Sequence, residues 1–149
     1  MADAIEKEIV IRAPRSRVWR AISDRTEFGT WFLVNFPPGT FAAGETVRGN
    51  ITHPGYEHLM MEIEVVEVTP ETTLSYRWHP YAIEQKDYSS EPKTLVTFTL
   101  EEVPEGTKLR IVESGFDRIP AHRRDLAFRM NEGGWAQQVL NVERHVAGR

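Results

Sequence analysis

The chain contains no cysteine, and that absence removes structural disulfides, thiolate metal sites and cysteine nucleophiles from consideration. It also lacks any apolar run approaching the ~20 residues needed to span a bilayer. Its opening residues, Met-Ala-Asp-Ala-Ile-Glu, contain no apolar h-region of a secretory signal. A cytoplasmic protein with no membrane partner is the expectation. Nor does one sign of charge dominate. There are 18 Lys and Arg against 22 Asp and Glu, a net charge of −4, which argues against nucleic acid or an anionic surface as partner. Arg12, Arg15, Arg17, Arg20 and Arg25 lie close together, but Glu6, Glu8, Asp24 and Glu27 are interleaved with them, so the cluster reads as a solvated face.

Chemical signatures are equally sparse. His53, His58, His79, His122 and His145 form neither H-x-H nor H-E-x-x-H, so no metal site is expected. Ser114-Gly115 is not part of a G-x-S-x-G elbow, and Gly133-Gly134 has neither a G-x-G-x-x-G context nor a Walker lysine. No cofactor and no catalytic residue is assigned. The glycine pair reads instead as a place where helix and sheet backbones approach closely.

What is present is patterned for one α+β domain over residues 1–149. With 149 residues, 40% of them hydrophobic, such a domain buries roughly 70% of its unfolded surface and can hold a substantial core. Residues 5–12 alternate as a strand, with Ile5, Ile9 and Ile11 on one side. Ala13-Pro14 ends it and starts a short helix to Ser23 with Val18, Trp19, Ala21 and Ile22 on its apolar side. A second short turn, residues 26–32, carries Phe28, Trp31 and Phe32, and residues 35–44, with two prolines and two glycines, are predicted to be loop.

Strands follow at residues 45–51, 58–68, 74–78, 94–101 and 108–115. In the second of these Leu59, Met61, Ile63 and Val65 share a face before Val66 and Val68 break parity, which predicts a bulge. Residues 81–92 are polar and irregular and read as a loop. Short connections make the sheet an antiparallel meander of five or six strands after the first. The last third, residues 121–146, holds the long helix, on which Trp135, Val139, Val142 and Val146 form one apolar stripe. A curved sheet wrapped around a straight helix touches it along a line, so a cavity between them is expected.

The motifs Ala13-Pro14, Val18-Trp19-Arg20-Ala21, Trp31-Phe32, Leu74-Ser75-Tyr76-Arg77-Trp78, Glu113-Ser114-Gly115-Phe116 and Glu132-Gly133-Gly134-Trp135 with Leu140 carry a resemblance. In order and spacing, over nearly the whole chain, they resemble the C-terminal-domain-like family of the activator of the heat-shock protein 90 ATPase. That family lies within the START-like (SRPBCC) helix-grip superfamily, which also includes birch-pollen-allergen-like proteins and polyketide cyclases. The resemblance implies the helix-grip fold, a lipophilic cavity under the long helix and a link to stress response. It does not imply one activity, because such domains serve in binding, in chaperone contact and, in some branches, in catalysis. The eukaryotic activator has a further N-terminal domain; here the sequence opens on the first strand, which weighs against a chaperone role.

The expected function is binding of a small apolar or aromatic ligand by a monomer or homodimer. The candidate ligand-binding residues are Phe28, Trp31, Phe32, Met61, Tyr76, Trp78, Phe98, Glu113, Phe116, Asn131 and Trp135. Trp and Tyr bring polar atoms that need partners and often line pockets, whereas a purely dry core is usually Leu, Ile and Val. Glu113 is the sharpest candidate. Leu109 and Ile111 face inward, so strict alternation aims its carboxylate into the apolar interior, unless a strand end swings it out to an arginine such as Arg77. Two other readings are a cyclase- or hydrolase-like enzyme using Glu113 or Glu62 with His79 as acid and base, and a chaperone-contact module.

Overall fold

The structure is a computed structural model that describes residues 4–80 and 88–148. Strand β1 (Ala4–Ile11) leads into helices α1 (Arg15–Ser23) and α2 (Arg25–Phe32). Strands β2 (Val34–Asn35), β3 (Thr46–Ile51), β4 (Met60–Thr69), β5 (Thr73–Trp78), β6 (Thr94–Val103) and β7 (Gly106–Ser114) follow. A single 3-10 turn (Phe116–Arg118) connects to α3 (Ala121–Ala147). The strands form one seven-stranded sheet in the order β1-β7-β6-β5-β4-β3-β2, antiparallel throughout. β1 and β2 therefore sit on opposite edges, and α1 and α2 carry the chain from one to the other. With α3 packed across the inner face against β1, α1 and α2, this is the helix-grip arrangement. Residues 81–87, within the polar 81–92 segment, lie outside the described residues.

Local chemistry explains the turns. Asp24 closes α1 and caps α2, its carboxylate accepting from the Glu27 amide at 3.0 Å. Leu33 ends α2 in the left-handed region, φ 66°, and β2 folds straight back against the helix. At Gly29 a Cβ would lie 2.1 Å from the Val34 carbonyl oxygen, so only glycine allows that return. The β4 register shifts between Val65 and Glu67, where the parity break predicted a bulge. Trp135, Val139 and Val142 are buried and Val146 is half-buried, which seats the helical stripe on the sheet.

Two expectations change. Residues 35–44 are not all loop: Val34–Asn35 pairs with β3, Thr40 bridges Asp24, and Phe36 and Phe41 are buried. Neither two paired residues nor two isolated aromatics gives a periodic signal. The Gly133-Gly134 pair is not a close backbone approach, because both glycines are exposed and a Cβ at either would meet nothing within 4 Å. Space does not demand glycine there, and glycine weakens a helix interior. Gly133→Ala and Gly134→Ala should each raise stability by ~0.5–1 kcal/mol in thermal melts; a loss of stability would show that the helix needs the freedom.

The three helices meet at Glu27. Its carboxylate accepts from Arg17 and Arg20 of α1 and lies against the His145 ring of α3, each at 2.8 Å. Burial pushes its pKa up, but the bonds from His145, Arg17 and Arg20 and the charge of Arg17 outweigh this and hold it below the ordinary value. A depressed carboxylate pKa adds stability above the unfolded value, about 4.3, and loses it as pH falls through the folded one. Stability should therefore fall below about pH 4.3, and Glu27→Gln should flatten that part of the curve in urea melts. An unchanged acid limb in the variant would remove Glu27 from the account.

Candidate functional site

Alternation along β7 takes Glu113 inward, as Leu109 and Ile111 predict, and its side chain is 0% exposed. Residue pairing then determines what surrounds it. Glu113 stands opposite Val96 of β6. Thr94 is two residues from Val96 on the same face, and Trp78 of β5 stands opposite Thr94. From the other side, Asn131 and Trp135 are one turn apart on α3 and point at the same carboxylate. Oε2 accepts from the Trp78 indole at 2.8 Å and the Thr94 hydroxyl at 2.6 Å; Oε1 accepts from the Trp135 indole at 2.8 Å. The Asn131 amide reaches both oxygens at 2.9 and 3.1 Å.

Every one of these groups is neutral and donates, which is the complement of a carboxylate that only accepts. A buried charge is tolerable when its lone pairs are engaged in this way. Glu113 forms no ion pair among the described residues. Arg77, the alternative partner, reaches Glu64 of the neighbouring strand instead, at 3.9 Å. Glu113 thus pins α3 to β5, β6 and β7 from inside.

Aromatic rings enclose this pin. Trp135 lies 5.8 Å from Trp78, 5.9 Å from Phe32 and 5.8 Å from Phe98, centroid to centroid. Tyr76 lies 5.4 Å from Trp78 and 6.1 Å from Phe98. Phe28 joins Trp31 at 4.7 Å and Phe32 at 5.1 Å, and the Trp31 indole donates to the Ala21 carbonyl at 2.8 Å. These separations are those of rings in contact. Among the candidate residues Phe32, Trp78 and Asn131 are half-buried, and the others are buried.

One polar atom in the group has no match. The Tyr76 hydroxyl is buried without a hydrogen-bond partner among the described residues. Burial, and after it the nearby Glu113 charge, push its pKa well above the tyrosine range, so it keeps its proton.

The remaining candidates separate from this cluster. Phe116 packs against Phe128 of α3 at 5.1 Å, and Met61 is buried on β4. Glu62, one residue along, consequently faces outward and bonds Arg48, so it is not a carboxylate of the interior. The His79 ring bonds the Glu91 carbonyl at 3.0 Å. The carboxylate–histidine pair of the enzyme reading is not formed among the described residues. Nor do three or more metal-ligating side chains cluster there. A hollow of about 260 Å³ opens on the other side of α2, beside Val34, Asn35 and Thr52, and no candidate residue lines it. Thr94 was missed in the sequence, although its parity with Val96 and Phe98 marks it as inward-facing. Phe41, 5.4 Å from Phe28, offered no such signal.

Among solved structures the chain is similar to protein MLL2253 from Mesorhizobium loti, at 28% identity and TM-score 0.75 over 97% of this chain and 96% of that one. It is similar in fold to the Aha1 dimer from Colwellia psychrerythraea, at 18% identity and TM-score 0.72, covering 98% and 96%. A third, protein CV1439 from Chromobacterium violaceum, shows 20% identity and TM-score 0.70 over 98% of each chain. Comparison with curated proteins gives no match. The family described as Activator of Hsp90 ATPase homolog 1-like protein matches residues 12–146, which take in β2 to β7, α1, α2 and all but the last residue of α3 and leave out β1, and the chain belongs to that family.

Proposed function

We propose that residues 1–149 act as one START-like unit in the cytoplasm, binding a small, largely apolar or aromatic molecule between the sheet and α3. The observation that carries this reading is the Tyr76 hydroxyl, fully buried within reach of the Glu113 charge and without a partner among the described residues. An unsatisfied buried hydroxyl costs about 1–3 kcal/mol, and a ligand that hydrogen-bonds it would recover that cost. The half-buried Phe32, Trp78 and Asn131 supply the side from which a ligand would enter, by parting rings that otherwise touch. Glu113 serves as the polar anchor of the site. Its oxygens are already engaged by five hydrogen bonds, which weighs against a general base and leaves its charge, rather than a free lone pair, as what a ligand would meet.

Two measurements test this. Native mass spectrometry of protein purified from its own host should reveal a retained small molecule. Titration with an environment-sensitive apolar dye should saturate at about one per chain and quench Trp78 and Trp135 fluorescence. Absence of saturable binding to the folded protein would instead favour contact with a chaperone. That second reading draws on the family's description and on Leu126, Met130 and Leu140, which α3 exposes on its outer side.

A further inference from the structure

We propose that the ligand of the Glu113 site is a cation, a quaternary or tertiary ammonium carried on an apolar body. The inference rests on the ligand-binding reading above and adds the sign of the charge. Two charged side chains are buried among the described residues, Arg123 and Glu113. Arg123 is paired with Glu91 at 2.9 Å. Among the described residues Glu113 has only the neutral donors of Trp78, Thr94, Asn131 and Trp135. Hydrogen bonds from neutral groups solvate a carboxylate but leave its full negative charge in place, and in a poorly polarisable interior that field reaches the surrounding space.

The walls have the matching property. Trp78 and Trp135 bond the carboxylate through their indoles, Phe32 packs against both and Tyr76 against Trp78, and the faces of such rings attract cations within about 6 Å. Because the carboxylate oxygens are already engaged, a cation here would be held by the field and the ring faces and need not displace a donor. A quaternary ammonium, which has no N–H, suits that arrangement. A tertiary ammonium would spend its one N–H on the Tyr76 oxygen, which is both unpartnered among the described residues and, like any hydroxyl, able to accept. An anion would meet the Glu113 charge, which has no cationic partner among the described residues to offset it.

Three probes of similar size separate the possibilities: benzyltrimethylammonium, its uncharged carbon isostere neopentylbenzene, and phenylacetate. Each is titrated into the wild-type chain, with tryptophan fluorescence and the indole N–H resonances as readouts. Wild type is used because Glu113→Gln alters the donor ring itself. The cation should bind roughly tenfold more tightly than the isostere, with shifts at the Trp78 and Trp135 indoles, and phenylacetate should bind more weakly than both. Equal or tighter binding of neopentylbenzene, or of phenylacetate, overturns the charge inference and leaves the pocket standing. If none of the three binds saturably and the apolar dye also fails, the pocket reading falls and this inference with it.

Discussion

Truncating Trp135 to alanine is expected to cost about 3–5 kcal/mol of stability and to lower Tm by roughly 10 °C or more for a domain of this length. The side chain is 2% exposed and touches Phe32, Trp78 and Phe98, so its removal leaves a void that rigid rings cannot collapse to fill. It also withdraws the donor that holds Oε1 of Glu113 at 2.8 Å. Two losses therefore fall on one substitution, and α3 loses one of its two donor side chains on the carboxylate. Gln137, two residues on, is exposed and, among the described residues, bonds only Asn141 of its own helix. Its replacement by alanine should stay within about 0.5 kcal/mol. Equal melting temperatures for the two variants would mean that the helical stripe does not seat on the sheet as described.

The second large effect belongs to Glu113. From the sequence alone, Glu113→Gln is a shape-preserving change expected to leave the fold nearly intact. The donor ring alters that expectation. Glutamine replaces one oxygen by an NH₂ group, which must face either the Trp135 indole or the Trp78 indole and the Thr94 hydroxyl. Donor then meets donor. Thr94 can rotate to another acceptor, but an indole N–H held by its packed ring cannot, so at least one buried donor is left unsatisfied. The expected cost is about 2–4 kcal/mol. Glu113→Leu, which removes the acceptor for both indoles together, should cost at least as much despite its better match to an apolar interior. Urea denaturation of the three proteins, with the indole N–H resonances recorded alongside, checks this. Should Glu113→Gln unfold with wild type, the five bonds would have no net value and the carboxylate would not be the pin between sheet and helix.

Much of this arrangement is legible in the sequence, because a period of two or of 3.6 residues assigns side chains to faces without reference to anything distant. Alternation from Leu109 and Ile111 was enough to send Glu113 inward. The stripe from Trp135 to Val146 was enough to lay α3 on the sheet, and the parity break after Val65 located the β4 bulge. The resemblance carried by the motifs from Ala13 to Trp135 supplied the topology that these local patterns lack.

Periodicity stops at the face; it does not say how far one strand slides along its neighbour or where a helix crosses. The offset that sets Thr94 diagonal to Glu113 and Trp78 opposite Thr94 is a property of the β5-β6-β7 register. Only with that register fixed do two indoles, a hydroxyl and an amide converge on one carboxylate. The same limit explains why Phe116 was grouped with the other rings and is found beside Phe128, and why the two-residue strand β2 went unseen. The glycines at 133 and 134 are a different case, because their phase on the helix, off the stripe that begins at Trp135, already turns them outward, and a close backbone approach there disregards that phase. Inward or outward was a local question that the sequence decided; which inward groups meet was decided by strand register and by where α3 crosses the sheet.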